Sequence, residues 1–373
     1  MIRRQRAARL PLLAAAALTA ASCGQEPIAP FVPPAQPDLA VELTQRLQQG
    51  WTDITPGLAG VSVAVLTRDD RLFTATVGAS GIGVGSPPLN AGHRFRVASV
   101  TKSFTAALIL RMAEQGLLSL DDPLTRYWPD AAVPNARDMT IRQLLSHTAG
   151  VFDHLNASAF WNHPANTPTK VWTVEELVGF AVQHGPLFAP GTSYAYSNTG
   201  FSILGGVVER VLGRNFGEGL AHFVIQPLGL ANTFHDDSSS TLNPIPNLAV
   251  NASSYRYHAS AAGAAGALVS TPTDMARFGR QVYGARFLSA SSVTEMTRDL
   301  GGPLGGQAYG LGTRLWTRSG IPYHGHTGAL MDYRSIVMYI PSSQVTIAMA
   351  THGVHANWFT LVYSIFDFAV NRF

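Results

Sequence analysis

The sequence predicts an α/β fold of the α+β kind, in which an antiparallel sheet is flanked by helices and a mainly helical lobe is inserted. Paired β-rich runs lie near both ends of the 373-residue chain, and the long middle repeats its apolar residues at helical spacing. With 46% hydrophobic residues there is material for a large core, and disorder is excluded.

In chain order, Leu39 to Gln49 reads as a helix. The runs Gly60 to Leu66 and Leu72 to Val77 surround the acidic turn Asp69-Asp70 and read as a hairpin. From Ser99 to about Gly284 the pattern is helical, as in Phe201, Leu204, Val207, Val208, Val211 and Leu212, stopped by Gly213. Thr271-Pro272-Thr273-Asp274 is another helix start, with proline in the first turn and an acid placed for the dipole. Tyr333 to Tyr339 and Gln344 to Ala350, joined through Pro341-Ser342-Ser343, repeat the hairpin pattern, and Trp358 to Val370 closes the chain as an apolar helix. Hairpins from both ends can share one sheet. The expected domain, residues 39–373, then has an α/β lobe (39–97 plus 285–373) and a helical lobe (98–284), with a site in the cleft between them.

The formal charge of +3 and pI near 9.1 do not point to nucleic acid. Arg3, Arg4, Arg6 and Arg9 precede an apolar run from Leu10 to Ala21, and no acid occurs before Glu26, the pattern of an export signal too short to span a bilayer. Removing residues 1–22 takes away four arginines and leaves 22 basic against 23 acidic residues. The sole cysteine, Cys23, follows Ala21-Ser22 and precedes Gly24, which resembles a bacterial lipoprotein signal whose cysteine is lipidated. A plain secretory signal is the alternative. Residues 24–38 carry Pro27, Pro30, Pro33, Pro34 and Pro37 and read as a spacer.

Of 26 basic residues only Lys102 and Lys170 are lysine. Arginine cannot give up its proton, whereas a desolvated lysine becomes a neutral base. Lys102 follows Ser99 by three residues, one helical turn, so the two share a face at the start of a helix running to Gly116. That helix is apolar nearly all round, as a buried one is. The plainer alternative has Ser99 as a helix cap and Lys102 snorkelling to the surface. Tyr196 and Asn198 alternate ahead of the Phe201 helix and can present a phenol and an amide to one side. Further on, His326-Thr327-Gly328-Ala329 leads into a strand, where Gly328 admits close approach of a substrate's backbone. His324 and His326 are metal ligands by type, but no cluster of further histidines and acids accompanies them, so neither metal nor cofactor is expected.

Together, Ser99-Val100-Thr101-Lys102, Tyr196-Ser197-Asn198 and His326-Thr327-Gly328 resemble the three signature motifs of the serine β-lactamase and penicillin-binding protein superfamily. The nearest resemblance is to class C β-lactamases, low-molecular-mass serine D-alanyl-D-alanine carboxypeptidases and related esterases. It spans roughly residues 40–360 and includes Leu144-Leu145-Ser146-His147-Thr148-Ala149-Gly150. The resemblance implies a β-lactamase/transpeptidase-like fold and an acyl-enzyme on Ser99, with Lys102 and Tyr196 sharing the proton work. It implies Asn198 on the substrate's amide side chain, His326 and Thr327 facing its carboxylate, and backbone N–H groups of Ser99 and Ala329 as the oxyanion hole. Arg314 matches an arginine that binds the terminal carboxylate in some carboxypeptidases. His326 stands where most β-lactamases carry lysine and looks more like certain carboxypeptidases and esterases.

The implied function is a serine hydrolase of the cell envelope, most like a D-alanyl-D-alanine carboxypeptidase, acting on a small-molecule or peptidoglycan-peptide substrate. A β-lactamase and a short-chain esterase are the enzymatic alternatives. An inert, envelope-anchored binding protein is the non-enzymatic one. No nucleic-acid partner is expected, and membrane contact only through a lipid on Cys23.

Overall fold

The computed structural model describes residues 38–54, 58–128, 132–167, 169–236, 248–249, 258–302, 308–353 and 357–373. The export segment, Cys23 and the proline-rich spacer as far as Pro37 lie outside the described residues.

The hairpins at the two ends do share a sheet. Helix α1 (Leu39–Ile54) precedes β1 (Leu58–Leu66) and β2 (Leu72–Gly78), which pair antiparallel about the predicted turn, where Asp70 is left-handed. A short β3 (Phe95–Arg96) leads to α2 (Thr101–Glu114). The helical stretch continues with α3 (Ile141–Leu145), α4 (Ser158–Trp161), α5 (Val174–His184), α6 (Asn198–Leu212) and α7 (Phe216–Leu220). After β4 (Phe234–His235) come α8 (Gly263–Gly266), β5 (Leu268–Ser270), α9 (Pro272–Tyr283) and α10 (Ala290–Met296). The chain ends with β6 (Ala308–Tyr309), β7 (Arg314–Arg318), β8 (Ile321–Leu330), β9 (Tyr333–Ile340), β10 (Val345–Gly353) and α11 (Trp358–Arg372).

The main sheet has seven strands in the order β2-β1-β10-β9-β8-β7-β6, all antiparallel, and β3, β5 and β4 form a second small sheet. Successive side chains of a strand point to opposite faces. Val61, Val63 and Val65 of β1, with Ile347 and Met349 of β10, therefore pack with Leu43, Leu47, Leu361 and Ile365 of the two terminal helices. Ala64, Ala348, Ala350 and Val337 belong to the core on the other face, which includes α2, α6 and α9. Every residue of β10 is buried, because both faces of this central strand are covered.

Helix ends follow the local chemistry. Thr271 caps α9 by accepting from Asp274 N, with Pro272 in the first turn, and left-handed Gly213 stops α6. Helix α2 runs through the core, with Thr101 to Leu110 all buried, and Phe104 stacks on Phe278 of α9 at 3.6 Å between ring centres. A buried helix leaves its lysine no route to water.

Candidate active site

Ser99 sits in a 3₁₀ turn, Ala98–Val100, immediately before α2. The turn is held from three sides. Val97 N–H donates to Leu268 O at 3.0 Å, Thr101 Oγ1 accepts from Leu268 N at 3.1 Å, and Ser335 Oγ donates to Val97 O at 2.7 Å. Ala98, a non-glycine residue, is left-handed with φ 50°, which costs on the order of 1–3 kcal/mol and persists only where the surroundings enforce it. Ser99 makes no cap: the residue capping α2 is Val100, without a side-chain bond.

Lys102 is fully buried, which removes the surface alternative. Its Nζ lies 3.3 Å from Ser99 Oγ and donates to Asn198 Oδ1 at 2.7 Å and to Ala265 O at 2.9 Å. Burial pulls its pKa from 10.5 to about 7, with the nearby Asp153 opposing that change and Arg314 adding to it. A lysine poised there can accept a proton from the neighbouring hydroxyl.

Tyr196 lies beside Ser99, and its ring lies 4.8 Å from Lys102 Nζ. Burial pushes its phenol well above the ordinary range, so it stays protonated at neutral pH. Asn198 opens α6, where Ser197 caps the helix by accepting from Gly200 N–H. The loop carrying both residues is pinned by His147, whose carbonyl accepts from Ala195 N–H at 3.0 Å and whose Nδ1 accepts from Ser197 N–H at 3.2 Å. His147 is left-handed (φ 61°) and buried against Tyr196, with its pKa pushed well below 6.5 by burial.

Across from Ser99, β7 pairs with β8 only as far as Gly325, and β8 from His326 to Leu330 is paired with β9 alone. The predicted third motif occupies that stretch. His326 is fully buried; its ring nitrogens contact Tyr309 Oη at 3.0 Å and the Thr327 carbonyl at 2.6 Å. Since only the carbonyl must accept, Nδ1 donates to it and Nε2 accepts from the Tyr309 hydroxyl. Burial, with Arg314 and Lys102 nearby, keeps the ring neutral. Both of its ring nitrogens are thus engaged inside the protein.

Gly328 is tightly packed. A Cβ there would meet Val97 O at 2.1 Å and Ser335 Oγ at 2.3 Å, so glycine lets the strand lie against the backbone ahead of Ser99. Thr327 is half-buried and Ala329 exposed on the same strand.

Arg314 reaches the cluster through a tight turn. Gly312, with φ +57°, lies so close to α2 that a Cβ would meet Lys102 O and Ala106 Cβ, both at 2.6 Å, and Ser103 Oγ donates to its carbonyl at 2.7 Å. The guanidinium then lies over the rings of Tyr196 at 5.5 Å and Tyr309 at 6.0 Å. Ser99, Lys102, Tyr196 and Asn198 are thus in direct contact, with Arg314 and His326 around them.

Sequence reasoning missed Asp153, which accepts from Asn198 Nδ2 at 2.8 Å, and Tyr309. The only signals were an isolated acid just beyond Leu144–Gly150 and a tyrosine just before Gly310-Leu311-Gly312. Among the described residues no group of three or more His, Cys, Asp or Glu could hold a metal, and no helix is long and apolar enough to cross a membrane.

Comparisons with known proteins bear on the family of the chain. Over 290 residues, 71% of this chain and 74% of the relative, the chain is 29% identical to penicillin-binding protein 4 of Amycolatopsis lactamdurans. It is 26% identical over 297 residues to the D-alanyl-D-alanine-carboxypeptidase/endopeptidase AmpH of Escherichia coli K12, covering 78% of this chain and 72% of that protein. The crystal structure of a D-stereospecific amidohydrolase from Streptomyces sp. superposes with a TM-score of 0.72 at 27% identity, covering 88% of this chain and 98% of that one. The Beta-lactamase family model matches residues 43–369. The chain belongs to the β-lactamase family and is a serine hydrolase with a β-lactamase/penicillin-binding-protein-like fold.

Proposed function

We propose that this family member cleaves an amide through an acyl-enzyme on Ser99, most like a D-alanyl-D-alanine carboxypeptidase of the cell envelope. The observation that carries the reading is the buried Lys102 ammonium site, 3.3 Å from Ser99 Oγ and with its pKa drawn to about 7. As Ser99 Oγ attacks the acyl carbon, its proton passes to Lys102 Nζ. The acyl C–N bond then breaks, and the leaving amine takes a proton from the Lys102–Tyr196 pair. Water adds to the ester by the reverse path, releasing the acid and free Ser99. Tyr196 serves as a proton donor rather than a tyrosinate base, because its phenol is held protonated.

The remaining roles rest on the resemblance together with position. The N–H groups of Ser99 and Ala329 receive the oxyanion. Asn198 keeps one amide hydrogen for the acyl side chain, since Asp153 takes the other. Thr327 and Arg314 take the substrate's carboxylate, while His326 and Tyr309 support Thr327 from behind. Preference for a D-configured acyl group is favoured both by the carboxypeptidase relative and by the D-stereospecific amidohydrolase, so a D-amino acid amide is the second substrate reading. The Arg-rich leader supports export, with Cys23 as the anchor point or else secretion.

Intact-mass analysis after exposure to penicillin, a cephalosporin and a D-Ala-D-Ala peptide tests this. A long-lived penicillin adduct that vanishes in Ser99→Ala, with release of D-Ala from the peptide, is the expected result. Rapid cephalosporin turnover without peptide cleavage would make the protein a β-lactamase. Cleavage of p-nitrophenyl esters with no penicillin adduct would make it an esterase.

A further inference from the structure

We infer that Asp153 is a positioning residue for this reaction: acting through the Asn198 amide, its carboxylate supplies the negative charge that lets Lys102 take and hold the Ser99 proton. The inference rests on Lys102 being the base.

Asp153 does not touch Lys102. The Asn198 amide stands between them, its Oδ1 accepting from Lys102 Nζ at 2.7 Å and its Nδ2 donating to Asp153 Oδ2 at 2.8 Å. An amide held this way has one stable orientation, because turning it would set its NH₂ against an ammonium and its carbonyl against a carboxylate. Asp153 is itself anchored. It is buried, and it caps the 3₁₀ turn His154–Asn156 by accepting from Leu155 N–H at 3.1 Å. The neighbouring His154 ring bridges Thr199 Oγ1 of α6, at 3.0 Å, to Ala261 O ahead of α8, at 3.1 Å. Helix α6 carries Asn198, and the backbone at the end of α8 carries Ala265 O, so both fixed acceptors of Lys102 Nζ are tied to the loop that carries Asp153.

The charges around Lys102 show why a carboxylate matters there. Facing it are Ser99 from the turn before α2, Tyr196 from the loop before α6, His147 after α3, Arg314 of β7, His326 of β8 and, through Asn198, Asp153. Tyr196 stays protonated, and burial holds both histidines neutral. Arg314 is cationic and opposes proton uptake, whereas Asp153 favours it. His154, with Nδ1 3.9 Å from Asp153 Oδ1, is also held below its ordinary pKa by burial. Among the described residues that face Lys102, Asp153 is therefore the one negative charge. A fully buried lysine beside an arginine and without it would give up its proton readily but take up that of Ser99 poorly.

The test is the pH profile of Ser99 acylation by whichever of penicillin, a cephalosporin or a p-nitrophenyl ester acylates the wild type. Asp153→Asn and Asp153→Ser, the latter keeping a capping oxygen, both remove the charge. Each is expected to move the rising limb about one pH unit lower. Each should also lower the plateau about threefold to tenfold, as a weaker base does. Asp153→Glu keeps the charge and should hold the limb within about 0.3 unit of wild type, whatever its plateau. Either neutral variant suffices if the other does not fold. An unmoved limb in the neutral variants, or an equal shift in Asp153→Glu, overturns the assignment. Failure of the underlying reading looks different: a wild-type Ser99 that takes none of the probes, or a Lys102→Arg variant that acylates at the wild-type rate.

Discussion

Lys102 and Lys170 are the same side chain placed in two regions that treat it in opposite ways. Lys102 lies wholly inside the core, on a helix buried all round, with its ammonium site shared among a hydroxyl, an amide and a backbone carbonyl. Lys170 has a 26% exposed side chain, pairs with Glu176 at 2.6 Å and holds its ammonium 5.1 Å from the centre of the Trp172 ring. The first environment works against the charge, and the second tolerates it. What draws a lysine's pKa down is thus the water it has lost, and in this chain that loss is imposed by packing on α2.

The largest expected effect is on Lys102 itself. Lys102→Arg retains a cation but cannot be deprotonated at working pH, so kcat/KM for acylation should fall about 10³-fold, within the range of a lost general base. An acylation rate near that of wild type would place Lys102 on the same footing as Lys170.

A smaller effect concerns stability. Because the folded pKa of Lys102 is about 7 against 10.5 for the free side chain, the unfolded chain binds more protons between those values, and stability from this group rises with pH across that window. Below about pH 7 both states are protonated and the contribution is flat. Urea unfolding at pH 7.5 and 9.5 should therefore show the wild type gaining about 2 kcal/mol relative to Lys102→Met over that interval. Parallel behaviour of the two proteins would mean that the lysine is not desolvated.

The smallest effect belongs to Lys170. Its partly exposed ion pair should contribute less than about 1 kcal/mol, so Lys170→Ala should leave acylation unchanged and shift the urea midpoint only slightly. A loss of activity in that variant would break the contrast from the other side.

Much was legible in the sequence because it is local. The spacing of Ser99 and Lys102 puts them one turn apart whatever surrounds them. The alternation of Tyr196 and Asn198, the stop at Gly213, the cap at Thr271 and the two hairpins depend on neighbours a few residues away. Tertiary structure decided the rest. Asp153 meets Asn198 across 45 residues, and Tyr309 becomes the partner of His326 only once β7 and β8 pair. Gly328 meets the Val97 carbonyl only because strand β8 packs against the turn that carries Ser99. Residue type sets which proton states a side chain can adopt. Burial and the charges brought near by folding select among them, which is why the sequence could pick out Lys102 by its rarity while only the fold drew its pKa down.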